Sequence, residues 1–342
     1  MAGTSEPSVL PAHLRSWWRR SLPQTQTAYV GIAFVALVVV VWVLAPVFMT
    51  PRNLLNISKN FSFIALMSLG ETLVIISGGI DLSVGSVCAL SAVVTMMLMR
   101  FLSATVAAQV SGATITLAAL MAMTLAALIG LVNGLLIARI RLSPFVTTLG
   151  MLSVARGMTY VLTQGRAQYP VGPDVAMFTR LANGAVLGLP TQLVYLLVLA
   201  ILMALALRHL VWGRHLYAVG GNAQAAALTG VRVPRMVISV YVLSGLAAGF
   251  SGVLIAGWLG AAPANLATGY ELRVIAAAVI GGANLAGGAG GAAGAVLGAA
   301  LIEVIRNGFV LIGANAYWEE VFVGVIIIIA VLVDQLRTRR VF

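Results

Sequence analysis

The chain has 342 residues, of which 61% are apolar and only 8% are charged, and its mean hydropathy is +1.05. Soluble domains carry about 25% charged residues, so this composition excludes an ordinary soluble enzyme and reads as a membrane protein. The net charge of +11 does not signal nucleic acid, because the basic residues sit at the ends of apolar runs without interleaved aromatics. Cys88, the one cysteine, excludes an intrachain disulfide and a thiolate metal cluster. His13, His209 and His215 lack metal-ligand spacing, so no metal and no other cofactor is expected.

In chain order, residues 1–27 read as a polar, arginine-containing cytoplasmic tail. The apolar run at 28–48 is longer than the roughly 7–15 residues of a signal-peptide core and reads as a retained first membrane helix. Further spans are predicted at 61–77, 84–100, 111–137, 144–163, 191–209, 236–259, 271–287, 290–312 and 318–334, giving about ten. Residues 337–342 form a second cytoplasmic tail, and 28–336 form one all-α polytopic transmembrane domain.

Charge fixes the direction. With the N-terminus inside, Arg15, Arg19, Arg20, Arg139, Arg141, Arg208, Arg214, Arg232, Arg235, Arg337, Arg339 and Arg340 face the cytoplasm, twelve of the 20 basic residues. Arg52, Lys59, Arg100, Arg166, Arg180 and Arg273, six in all, face outward. That asymmetry places both termini inside.

Between the second and third spans lies "ISGGIDLSVGSV", residues 76–87. Gly78 and Gly79 end one helix, and Asp81 or Ser83 can cap the next by accepting its first free N–H groups. Both flanking spans are short, about 17 residues, so the connection is expected to dip into the membrane against protein or a water-filled path. Asp81 and Ser83 therefore read both as structural caps and as candidates for a substrate pathway or gate. Glu71, Arg156, Glu303 and Arg306 fall inside spans, where charge is costly and is paired or functional. Glu303 and Arg306 can neutralise each other on one helix, whereas Glu71 and Arg156 can pair across helices. Asn133 reads as polar glue and joins Glu71 among the pathway candidates.

Residues 164–190 form an outer loop rich in Gly and Pro, and 210–235 form the longest inside connection. Within the latter, "GGNAQAAALTG" predicts a short helix capped by Asn222 and closed by Gly230. "GGANLA" at 281–286 echoes "GGIDLS" at 78–83, on the same side of the membrane, and marks Asn284 as a further pathway candidate. Gly290, Gly294 and Gly298 recur every four residues, as close helix packing requires.

No phosphate-binding loop precedes Lys59, the only lysine, so the chain is not its own ATPase. It lacks Gly-x-Ser-x-Gly and any mid-span histidine, which argues against an enzyme. Residues alone leave an ATP-driven system with a borrowed motor, an ion-coupled secondary transporter, or a passive channel.

"SGGIDLSVGS", "GRHLYAVGGNAQAAALTG", "GYELRVIAAAVIGGANLAGG" and "VIIIIAVLVDQLRTRR" resemble the permease subunits of bacterial ABC importers for monosaccharides, the ribose, xylose and arabinose class. The resemblance runs from about Leu54 to Arg340. It implies a multi-pass protein of the bacterial inner membrane that moves a pentose or hexose from periplasm to cytoplasm. The implied partners are cytoplasmic ABC ATPase subunits, a periplasmic sugar-binding protein, a second permease (the same chain or a related one) and the lipid bilayer. By the same resemblance, Gly220, Gly221, Asn222, Ala225, Ala226, Leu228, Thr229 and Gly230 correspond to the segment that docks on the ATPase. The family commonly has arginine where Ala227 stands and aspartate where Arg273 stands, the latter on the expected outer face. A related branch carries nucleosides or branched-chain amino acids.

Overall fold

A computed structural model describes residues 26–104 and 112–313, together with Trp318, Val321, Gly324, Val325 and Ile328. The tails assigned to 1–27 and 337–342 fall outside these residues except for Gln26 and Thr27, and so does most of the span expected at 318–334.

Helix α1 (Gln26–Leu44) stops before Pro46, and a 3-10 turn (Pro46–Met49) leads into α2 (Pro51–Ile76). Pro51 opens α2 in the first helical turn, where a missing N–H costs nothing. There follow α3 (Val84–Leu102), α4 (Ala113–Ala138), α5 (Pro144–Thr163), α6 (Val175–Asn183), a hairpin of β1 (Ala185–Val186) and β2 (Leu189–Pro190), and α7 (Thr191–His209). The chain continues through α8 (Val211–Gly221), α9 (Ala223–Leu228), α10 (Val233–Leu259), α11 (Tyr270–Ile280) and α12 (Ala292–Leu311). Ala185 pairs with Pro190 and Val186 with Leu189, antiparallel, in a small sheet that carries no part of the core.

The bundle is built around α2, buried from Ser62 to Ile76. Helices α10, α12, α11 and α7 pack around it, α3 packs against α10, α4 and α5, and α4 lies along α10. Small residues allow that approach: a Cβ on Gly245 would meet the Ala126 carbonyl, and one on Gly252 the Cys88 carbonyl. On the other side of the contact, Gly130 faces the Tyr241 backbone and Gly134 that of Ile238. Apolar side chains are left facing outward on α4 (Leu120, Leu128), α5 (Val154, Val161) and α7 (Val198, Ile201). Such a surface suits lipid rather than water.

Among the described residues, seven helices are long and apolar enough to cross a membrane: α2, α3, α4, α5, α7, α10 and α12. The all-α, multi-pass architecture stands, but the figure of ten spans does not follow from it. The helix expected at 271–287 is only α11, 11 residues long, roughly 16 Å, which is too short to cross. It stops because Gly282 takes a left-handed conformation, φ +102°. Of the expected first span at 28–48, α1 (Gln26–Leu44) covers all but the last four residues, which belong to the break and 3-10 turn at Pro46. The span expected at 61–77 is instead the buried end of a 26-residue helix whose exposed start carries Arg52. Its partner α3 has 19 residues, so the helices flanking "GGIDLS" are not both short.

The long loop at 164–190 is partly ordered into α6 and the hairpin. Gln168 bridges to Ala262 by paired backbone hydrogen bonds of 3.0 and 2.8 Å, tying it to the segment between α10 and α11. Asp174, just before α6, accepts hydrogen bonds from the Gly112 N–H (2.9 Å) and the Thr114 N–H (3.3 Å) and hydroxyl (2.5 Å), capping α4 from a distant part of the chain. Those donors, the Thr114 hydroxyl first, hold its carboxyl below the usual carboxylate range.

Candidate functional site

Helix α2 ends in a glycine-closed turn. The Gly78 N–H donates to the Ile75 carbonyl at 2.9 Å and the Gly79 N–H to the Val74 carbonyl at 3.0 Å, with Gly78 at φ +84°. That pair of bonds is the Schellman arrangement, and the left-handed residue needs to be glycine. The chain then turns back beside α2, so that the Asp81 N–H donates to Glu71 Oε1 at 3.0 Å. Asp81 Oδ1 accepts from the Ser83 N–H (3.0 Å) and the Ser83 hydroxyl (2.6 Å), and Oδ2 accepts from the Ser244 hydroxyl of α10 at 3.0 Å. Asn133 Nδ2 of α4 completes the group by donating to Ser83 Oγ at 3.1 Å.

Four of the five pathway candidates, Glu71, Asp81, Ser83 and Asn133, thus form one buried hydrogen-bonded cluster. Ser244, Tyr241 and Thr148 were not legible as members. The Tyr241 and Thr148 hydroxyls each lie 3.3 Å from the Ile80 carbonyl as donors, pinning the residue before Asp81 from α10 and α5. The expected cap is corrected in one respect. Asp81 does not accept from the first free N–H groups of α3; it holds the N–H and hydroxyl of Ser83, the residue before the helix, while Ser83 makes no side-chain cap.

The echo has a structural counterpart. Helix α11 ends with the Gly282 N–H donating to the Val279 carbonyl (2.9 Å) and the Ala283 N–H to the Ala278 carbonyl (3.0 Å). Asn284 Oδ1 then accepts from the Ala286 N–H at 2.8 Å, the same two-residue turn that Asp81 makes with Ser83. Asn284 is half-buried and stands apart from the Asp81 cluster, with five residues (Gly287–Gly291) still to run before α12.

Both turns meet the segment at 210–235. Helix α8 leans on α2 through Leu216 and Val219, and Gly220 sits where a Cβ would strike the Ile76 carbonyl and the Gly288 N–H. The Gly288 N–H donates to that same Ile76 carbonyl at 2.9 Å, and the Tyr217 hydroxyl donates to the Gly290 carbonyl at 2.7 Å. Asn222 Oδ1 then accepts from the Ala225 N–H at 2.9 Å and starts α9, which the Gly230 turn closes at φ +89°. Gly221, Asn222, Ala225, Ala227, Leu228, Thr229 and Gly230 are exposed, Leu228 to 90%, whereas Ala226 is buried and Gly220 partly so. A Cβ on Gly221 would meet nothing. The helix at Ala223–Leu228 agrees with the sequence; α8 ahead of it, amphipathic rather than a plain connection, was missed.

Of the charges within spans, Glu303 and Arg306 form the expected bidentate pair, Arg306 Nε donating to Glu303 Oε2 at 2.8 Å. The cross-helix pairing of Glu71 with Arg156 does not form. Arg156 Nη1 donates instead to the Leu266 carbonyl at 2.7 Å, because the chain between α10 and α11 folds back and presents its carbonyls there. Arg273 is half-buried with its guanidinium 5.7 Å from the centre of the Tyr270 ring. The four-residue glycine repeat does serve packing: Cβ atoms on Gly294 and Gly298 would meet the carbonyls of Gly281 and Ala277 on α11.

A family model described as the permease component of the branched-chain amino acid transport system matches residues 53–331. A probable ABC transporter permease protein of Sinorhizobium fredii is 40% identical over 319 residues, 93% of this chain and 91% of that protein. The ribose import permease of Escherichia coli K12 is 38% identical over 308 residues, covering 89% and 92% of the two chains. The galactose/methyl galactoside import permease of the same organism is 35% identical over 302 residues, covering 86% and 90%. No solved structure matches. The match runs over most of a multi-pass helical bundle and speaks against an ion-coupled transporter and a passive channel: the chain belongs to this permease family, as the membrane subunit of an ABC importer.

Proposed function

We propose that this permease moves a small, neutral, hydroxyl-rich solute, a pentose or hexose, from periplasm to cytoplasm across the bacterial inner membrane. Relatives at 38% and 35% identity are ribose and galactose import permeases, which supports the sugar class without choosing among sugars. In this reading the chain performs no chemistry. ATP is hydrolysed by cytoplasmic ABC ATPase subunits, a periplasmic binding protein delivers the sugar, and a second permease subunit, identical or related, completes the pathway. Both termini lie inside, and residues 28–336 form the single membrane domain.

The observation that carries this reading is the seat of Gly220. Helix α9 and its flanks offer Gly221, Asn222, Ala225, Leu228, Thr229 and Gly230 to a partner, while Gly220 and Ala226 face the fold. Because Gly220 is wedged against the Ile76 carbonyl and Gly288, displacement of α8 and α9 has no slack to take it up locally. It passes to the ends of α2 and α11 and to the two glycine-ended turns. Glu71, Asp81, Ser83 and Asn133 act in this scheme by holding the first turn closed, with any substrate contact confined to a state in which the cluster opens. Asn284 shapes the second turn.

Reconstitution of the full chain with its ATPase and binding protein in proteoliposomes tests the proposal. Monosaccharide uptake that requires ATP and all three components is the expected result. Uptake driven by an ion gradient without the ATPase would overturn it. The family model's own description favours one second reading, a branched-chain amino acid as cargo, which the same vesicles distinguish by which solute accumulates.

A further inference from the structure

The Asp81 cluster is short of positive charge. Glu71 and Asn133 are 0% exposed and Asp81 is 2% exposed. Every hydrogen bond that reaches the two carboxylates comes from a neutral donor: the N–H groups of Asp81 and Ser83 and the hydroxyls of Ser83 and Ser244. Asp81 has both oxygens engaged by hydrogen bonds. Glu71 does not, because its Oε2 has no hydrogen-bond partner. An independent observation comes from a neighbour that is not acidic. Asn133 turns its amide nitrogen to Ser83 Oγ, while its Oδ1, equally buried, has no partner either.

The charged and titratable neighbours on the packed elements do not supply the missing charge. Tyr241 of α10 donates to the Ile80 carbonyl, and Arg156 of α5 is spent on the Leu266 carbonyl. Arg273 of α11 lies against the Tyr270 ring. Cys88 of α3 is a buried thiol, and Tyr217 of α8 is committed to Gly290. Glu271 of α11, beside Gly85, adds a third carboxylate close to the start of α3. Two uncompensated anions at this depth would each carry a heavy desolvation cost, on top of their mutual repulsion.

We propose that the folded permease seats one positive charge, a proton or a monovalent metal ion, among Glu71, Asp81 and Asn133. Free oxygens, Glu71 Oε2 and Asn133 Oδ1, are what either occupant would use. A proton on Glu71 Oε2 turns that orphan acceptor into a donor in a cluster with an acceptor to spare. A hard monovalent cation would take the same oxygens as ligands. The seated charge locks the first turn onto α2, and the inference does not depend on which solute is carried.

The test is the unfolding midpoint of the purified full chain in lipid nanodiscs, read in two arms. One arm varies pH in choline buffer free of alkali metals; the other varies NaCl, KCl or LiCl at fixed pH, with choline chloride keeping ionic strength constant. If the occupant is a proton, the midpoint falls as pH rises, the folded-to-unfolded ratio dropping by up to about tenfold per unit. If it is a metal ion, the midpoint rises with one salt, the ratio gaining about 100-fold at a hundred times the dissociation constant. In either case E71Q, which keeps an acceptor for the Asp81 N–H, abolishes the response. Parallel wild-type and E71Q curves in both arms would overturn the proposal. If E71Q does not fold, the wild type decides alone. A protonated carboxylic acid stretch in the infrared, or saturable sodium, potassium or lithium binding by calorimetry, supports the proposal, and the absence of both overturns it.

Discussion

The turns at 77–83 and 281–291 use one backbone device for different ends. Each closes a helix with a left-handed glycine, Gly78 or Gly282, and follows it with a side chain that accepts the N–H two residues on, Asp81 or Asn284. In the first the acceptor is a buried carboxylate, and the chain enters α3 at once, pinned by α2, α4, α5 and α10. In the second it is a half-buried amide, and a run of glycine and alanine lets backbone from α8 approach directly. Charge in a dry place makes a lock. Missing side chains make a seat.

The contrast can be broken most severely at the seat. Gly220→Val should cost about 3 kcal/mol or more, since its side chain would run into fixed backbone, and should abolish coupling between ATP hydrolysis and uptake. Gly221→Val, facing open space, should leave the unfolding midpoint unchanged and act only through the ATPase contact. Next comes the lock. Asp81→Ala strands the Ser83 N–H and the hydroxyls of Ser83 and Ser244, a loss of roughly 2–3 kcal/mol that denaturation should register together with reduced uptake. Tyr217→Phe removes the bond to the Gly290 carbonyl and should cost about 1 kcal/mol, with more futile hydrolysis per sugar carried. Asn284→Ala should cost less again, about 0.5 kcal/mol by thermal unfolding, because its site reaches solvent. A gap between Asp81→Ala and Asn284→Ala smaller than that would mean the two turns are equivalent after all.

The smallest effect is one of pH and lies away from both turns. Asp174 is held below the ordinary carboxylate range by Thr114 and Gly112. Its contribution is therefore present above the normal carboxyl pKa of about 4 and is lost as pH falls through the lowered value. Asp174→Asn should lower the neutral plateau of a stability profile slightly and flatten its acid limb, the two proteins converging at low pH.

Much of this was legible because local rules decide it. Asn222 caps α9 and Gly230 ends it, as their types dictate. The Glu303–Arg306 pair follows from spacing on one helix. What the residues alone do not disclose is set by tertiary return of the chain. Ser244 reaches Asp81 across 163 positions, and no local pattern marks that serine among the small residues of α10. Arg156 looked free to meet Glu71 because nothing in the sequence shows the chain near Leu266 folding back to offer carbonyls. The span count failed at α11 because hydropathy continues through "IGGANLA" after the hydrogen-bond ladder has ended.

The docking of a motor on α9 at the cytoplasmic face is tested most directly at its most exposed apolar side chain. With the buried Cys88 replaced by alanine, Leu228→Cys gives a single reactive thiol at a position that is 90% exposed. A membrane-impermeant maleimide should label it only in inside-out vesicles, and adding the ATPase subunits should protect it. Labelling from the periplasmic side, or equal labelling with and without the ATPase, would contradict the account.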